Sequence, residues 1–266
     1  MTLIEMANFA PAFLLIVFRV AGVMIMSPFF SSIRVPNVYR ILFTIVVALG
    51  MAGIDWRHIA MPADLLSLVV ALTGELLFGV AMGMMISMVF IAAQWAGEMV
   101  GQQVGFSLGA VFDPQFGGSG SPIGDLYFYG TLIIFLSIGG HRLMLLGVHE
   151  SLVILPPMSL VMNKDILDLL LDVFNASTVL ALRLAAPVFV TLLISDVALG
   201  FLSKTMPQLN ILSAGLGLRT VLGMFVLIFG IANTGTVIQE SLTTTMETWI
   251  RTTTDAAVQV VAPIKD

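Results

Sequence analysis

Six apolar blocks, at about 9–30, 38–54, 66–93, 126–148, 177–202 and 212–238, dominate this sequence. Each is near or above the ~17–25 residues that cross a bilayer, with 38–54 at the short limit. Charges are too sparse for a soluble domain, in which about a quarter of residues are charged. Here 10% are charged and 58% hydrophobic, at a mean hydropathy of +1.04. The blocks imply an all-α polytopic membrane protein, placed in lipid or in a protein assembly within it. One helical domain over 1–250 and a polar tail over 251–266 account for the length, and no soluble domain fits in the gaps.

The formal net charge is −5 and no basic patch exists, so nucleic acid is not an expected partner. Cysteine is absent, which excludes disulfides and thiol chemistry. The N-terminus lacks a basic n-region, and Arg19 interrupts its apolar run, so it reads as a first mature span rather than a signal peptide. The loops give no consistent orientation. Arg34, Arg40 and Lys204 mark the first and fifth, whereas Glu98, Asp113 and Asp125 mark the third, which should share their side. That conflict points to blocks that do not cross lipid in the ordinary way. The stretch 166–174, ILDLLLDVF, is expected to be a short surface helix with Asp165 at its start.

Arg19, Glu75, Arg142, Glu150, Arg183, Asp196 and Arg219 lie in or beside the apolar blocks. Charge at membrane depth is costly and faces a bundle interior, a partner or water. Asp196 and Arg183 would be about 20 Å apart on one helix, so each needs another partner. These residues read as buried contacts that fix packing rather than as an ion path, because no span carries two carboxylates on one face. His58, His141 and His149 have no metal-site spacing, and neither a nucleotide loop nor a nucleophile elbow occurs. No enzyme, metal or cofactor is expected. The methionines of MGMMISM at 82–88 read as packing side chains.

The segment 97–122 contains GQQVGFSLGAVFDPQFGGSGSP after Gly97. Gly97, Gly101, Gly105 and Gly109 put a bare stripe on one helix face, where a second backbone can approach closely. Asp113-Pro114 and Gly117, Gly118 and Gly120 then end regular helix. Phe106, Leu108, Val111, Phe112 and Phe116 are more than a solvent linker needs. The residues alone leave open a pore-blocking loop, a packed re-entrant loop and an exposed connection.

The runs AGEMVGQQVGFSLGAVFDPQ and IIFLSIGGHRLMLLGVHESLVILP, with FRVAGVMIMSPFFSSIRVPNVYR, SKTMPQLNIL and GLRTVLGMFVLIF, resemble the flagellar biosynthetic protein FliR family and the homologous injectisome subunit SctT. The resemblance covers about 10–240 and matches the flagellar branch comfortably. The family often has proline and lysine where Gly217 and Arg219 stand here. It implies a FliP-like portion joined to a FliQ-like portion, with hairpins that do not all cross the bilayer in the standard manner. It implies a non-enzymatic subunit of the type III export gate at the flagellar basal body, in the bacterial inner membrane. FliP-like, FliQ-like, FlhB-like and FlhA-like proteins, unfolded substrates and membrane lipid are the implied partners, with a cytoplasmic ATPase feeding the gate. The stretch corresponding to about 106–122 is implied to be an irregular glycine-rich plug of the closed channel. On that reading the phenylalanines face the lumen, and Gln208 and Asn210 satisfy polar backbone at a turn. Arg19, Glu75, Asp196 and Arg219 would hold helices or subunits together. A secondary transporter of a small solute is the competing class, and it would show paired inverted repeats, which are not evident.

Overall fold

The computed structural model describes residues 3–28, 30, 36–51, 64–106, 121–158, 164–205 and 211–261. Among the described residues the chain is helical, with no strand. The helices are α1 (Leu3–Met26), α2 (Asn37–Met51), α3 (Leu65–Val104), α4 (Pro122–Ser137), α5 (Gly140–Ile154), α6 (Lys164–Thr205) and α7 (Ile211–Val261).

Five of the apolar blocks correspond to single helices, and the block at 126–148 divides in two. Gly139 is the reason. It sits in the left-handed region at φ 72°, which a residue with a Cβ adopts only at a cost. Ile138 N–H closes α4 on Ile134 O, and Arg142 N–H opens α5 on Gly139 O. Pro122 occupies the first turn of α4, where its missing N–H leaves no bond unmade. The short separate helix expected over 166–174 is instead the beginning of α6, which runs 42 residues without interruption. Helix α7 likewise continues past Trp249 to Val261.

Length decides how these helices can meet a bilayer. The 40 residues of α3 extend about 60 Å, twice the ~30 Å hydrocarbon thickness. Such a helix is about twice as long as a perpendicular crossing needs. The 15 residues of α2 extend about 22 Å and fall short of it. Among the described residues, two helical segments, Leu65–Val104 and Leu170–Thr205, are long and apolar enough to cross. The number rises to four if α4 with α5, and the two segments Gly215–Gly230 and Asn233–Trp249 of α7, each form one broken span. The chain is thus a polytopic membrane protein whose helices are not a row of simple spans.

The chain divides into two compact units, and α3, α6 and α7 each pass from one to the other. The first comprises residues 1–88, 139–173 and 242–266. Its buried side chains include Leu15, Val20 and Val23 of α1, Met82, Met85 and Ile86 of α3, Val148 of α5 and Trp249 of α7. Met82 and Met85 thus serve as packing side chains. Gly147 of α5 lies flat against the Trp249 indole, where an added Cβ would stand 3.2 Å from the ring. The second unit comprises residues 89–138 and 174–241. Phe90 of α3 meets Phe128 and Phe135 of α4 edge-on, at 5.8 and 5.5 Å between centroids, the favoured aromatic arrangement.

Candidate functional site

In the second unit, α3 and α4 frame residues 107–120. Gly97 and Gly101 lie at the contact of these helices. A Cβ on Gly97 would come within 2.6 Å of Ile123 O and 2.8 Å of Gly124 Cα, and one on Gly101 would overlap Ser121 Oγ. Gly97 and Gly101 of the stripe seen in the sequence therefore permit direct backbone approach, as small residues do between membrane helices, whereas Gly105 leaves the helix in the left-handed region and Gly109 lies outside the described residues. Ser121 also accepts from Ile123 N–H at 3.3 Å and so caps α4. Ser121→Ala is expected to cost about 1 kcal/mol, the usual worth of an N-cap, in thermal unfolding of the purified chain.

The other limb leaves α3 at Gly105, whose φ of 98° suits glycine alone. Helix α7 holds this end. Thr220 Oγ1 lies 3.0 Å from both Val104 O and Leu216 O, so its one proton is shared between them. Gly223 makes room for the Val104 side chain, which is fully buried. Phe106 is 39% exposed at the last described position of this limb. Leu108, Gly109, Val111, Phe112, Asp113, Pro114, Phe116, Gly117, Gly118 and Gly120 lie outside the described residues, as do Gln208 and Asn210.

Of the seven charges in or beside the apolar blocks, Arg142 and Arg183 are exposed rather than buried and Glu150 is half-buried, whereas Arg19, Glu75, Asp196 and Arg219 form two pairs. Arg219 Nε of α7 donates to Asp196 Oδ1 of α6 at 2.7 Å, with the two side chains 39% and 36% exposed. Arg219 adjoins Thr220, so this half-exposed pair fixes α7 beside its grip on α3. Arg19 and Glu75, in the first unit, form the second pair. Arg19 Nε donates to Glu75 Oε2 at 2.5 Å, and both residues are buried. Arg19 Nη1 donates to Ser151 O at 2.9 Å and Leu155 O at 3.0 Å, at the end of α5. A cation there is favoured by the partial negative charge of the helix C-terminus. The guanidinium also lies 5.1 Å from the centroid of the Phe78 ring. Glu75 uses its second oxygen to accept from Met158 N–H at 3.1 Å.

These partners depend on how closely α1 crosses α3. Gly22 faces Gly79, and a Cβ on Gly79 would stand 3.1 Å from Gly22 Cα and overlap Arg19 O. Gly83 meets Val23 O and Met26 Cβ, both at 2.8 Å from an added Cβ. Glu75, Gly79 and Gly83 recur every four residues and share one face of α3. Arg19 and Glu75 stand out in the sequence, whereas Gly22, Gly79, Gly83, Ser121, Thr220 and Gly223 do not. The four-residue spacing from Glu75 was the available signal.

The sequence profile of the bacterial export proteins, family 1, matches residues 10–245. The flagellar biosynthetic protein FliR of Bacillus subtilis is 30% identical over 241 residues, covering 90% of this chain and 93% of that protein. FliR of Aquifex aeolicus is 29% identical, covering 84% and 86% respectively. The surface presentation of antigens protein SpaR of Salmonella typhimurium is 28% identical and covers 79% of each chain. The matched span takes in both charge pairs, both glycine crossings and both limbs of the 97–122 segment, and the chain belongs to the bacterial export proteins, family 1.

Proposed function

We propose that this chain is a non-enzymatic subunit of the flagellar type III export gate, which helps to form and close the conduit for unfolded flagellar proteins. Its similarity to FliR of Bacillus subtilis across 90% of its length carries this reading. Residues 1–250 act as one export-gate domain, and 251–266 form its polar tail. The chain resides in the bacterial inner membrane at the flagellar basal body. FliP-like and FliQ-like subunits and the FlhB-like and FlhA-like export proteins are its partners.

Within the gate, the stretch 105–120 is the plug. Gly105 and Ser121 support this assignment, because each ends or begins a helix that is gripped by its neighbours. Helices gripped in this way on either side of the stretch would stay seated as a substrate passes. Phe106, Leu108, Val111, Phe112 and Phe116 would exclude water from the closed lumen, and the glycines would let the backbone yield to a passing chain. SpaR and the secretion system apparatus protein SsaT, both of Salmonella typhimurium, favour an injectisome gate as the second reading.

Deletion of this chain should abolish export of hook and filament proteins, and a tagged chain should copurify with the FliP-like and FliQ-like subunits. Export that continues without it, or small-solute transport by the purified chain alone, would overturn the proposal. A complex formed with injectisome components instead would select the second reading.

A further inference from the structure

Residues Leu155–Met158, LPPM, form a strap between α5 and the connection to α6. Prolines have no N–H, so the strap has only two amide donors. Leu155 N–H closes α5 on Ser151 O at 2.9 Å. Met158 N–H donates to Glu75 Oε1. The downstream end of the strap thus has one amide bond, and it goes to the buried carboxylate. Met158 also has φ 72°, the one positive value on a non-glycine residue among those described. A residue with a Cβ holds that conformation only where its surroundings impose it. Its side chain packs against buried Ala12 and Leu15, beside Ala71 and Leu72. A cavity of about 800 Å³ adjoins the strap, lined in part by Ser67, Gly74, Glu75, Leu77 and Met158. The strap therefore has space beside it, in contrast to the glycine crossing of α1 on α3.

We propose that Glu75 is a latch on the Leu155–Met158 strap, with Arg19 as the countercharge that holds the carboxylate in place, so that the strap opens while α1 and α3 stay crossed. This goes beyond the export-gate assignment and holds whichever secretion system the chain serves. The chain has no cysteine, so an introduced thiol is a unique reporter. Met158→Cys reads the strap, and Val23→Cys, at a fully buried position of the crossing, reads α1 on α3.

The test is the rate of labelling by a water-soluble maleimide in full-length chain. Arg19→Met with Glu75→Leu removes both charges and the acceptor, leaving no buried ion unpaired. Labelling at Met158→Cys should then accelerate by about tenfold or more, because the strap loses both the Met158 N–H bond to Glu75 and the Leu155 O bond to Arg19, while Val23→Cys stays protected. Arg19→Met with Glu75→Gln loses the same Arg19 bonds but keeps an acceptor for Met158 N–H, so it should label about threefold to tenfold more slowly than the Glu75→Leu variant, a difference that isolates this one hydrogen bond. Unchanged labelling in the first variant, equal opening in both, or exposure of Val23→Cys together with Met158→Cys would each overturn the latch.

Discussion

Glu75→Leu alone should destabilise the chain by about 3–5 kcal/mol, the penalty for leaving one member of a buried ion pair without its partner. Arg19 would then keep its full charge at a site with no exposure to solvent. Two carbonyls and the Phe78 ring would remain, but they carry only partial charge. Since a domain's whole stability is about 5–15 kcal/mol, this variant should accumulate poorly and melt far below the parent. Arg19→Met with Glu75→Leu should recover most of the loss, because removing both ions also removes their desolvation cost. Thermal melting of the purified chains, with accumulation in membranes, measures both. A single variant within about 1 kcal/mol of the parent would mean that Glu75 does not hold Arg19 in the folded chain.

Gly79→Ala and Gly74→Ala should act in opposite directions, although they lie five residues apart on α3. A Cβ at Gly79 meets only backbone, namely Arg19 O and C and Gly22 Cα, so α1 as a whole must shift. Overpacking of this kind costs about 1–3 kcal/mol, and here it also spreads the ion pair. At Gly74 nothing lies within 4 Å of an added Cβ. There alanine removes backbone freedom from the unfolded chain and should stabilise by about 0.5–1 kcal/mol. Melting temperatures of the two variants check this, and equal destabilisation would place the crossing elsewhere.

The helical class was legible because the apolar blocks are long and the breakers between them dense. Their number was less so. Nothing about Gly139 in LSIGGHRL separates a flexible position from a left-handed one, and that distinction divides α4 from α5. The length of α3 was also hidden. Its C-terminal half contains Gly97 and Gly101, which weaken a helix by themselves, yet tight contact of Gly97 with Ile123 and Gly124, and of Gly101 with Ser121, retains them in it.

The charges illustrate a different boundary. Their cost at depth is written in the sequence, so Arg19, Glu75, Asp196 and Arg219 stand out, and Arg183 and Asp196 both lie on α6. Which opposite charge each one meets is tertiary information. Arg19 pairs across 56 residues with Glu75, and across 132 and 136 residues it reaches Ser151 and Leu155 at the end of α5. Ser151 and Leu155 contribute main-chain carbonyls there, and no side-chain motif announces a carbonyl. Gly22 and Gly79 were hidden for a related reason, since each is meaningful only once the other is opposite it.

The 105–120 stretch is proposed to close a protein-conducting gate. Its most direct test is the resting ion conductance of the assembled gate complex in a bilayer, with this chain carrying Phe112→Ala and Phe116→Ala. The account predicts an assembled complex that leaks ions above the parent level, because two large apolar side chains no longer exclude water from the lumen. A complex that assembles normally and conducts no more than the parent would contradict it.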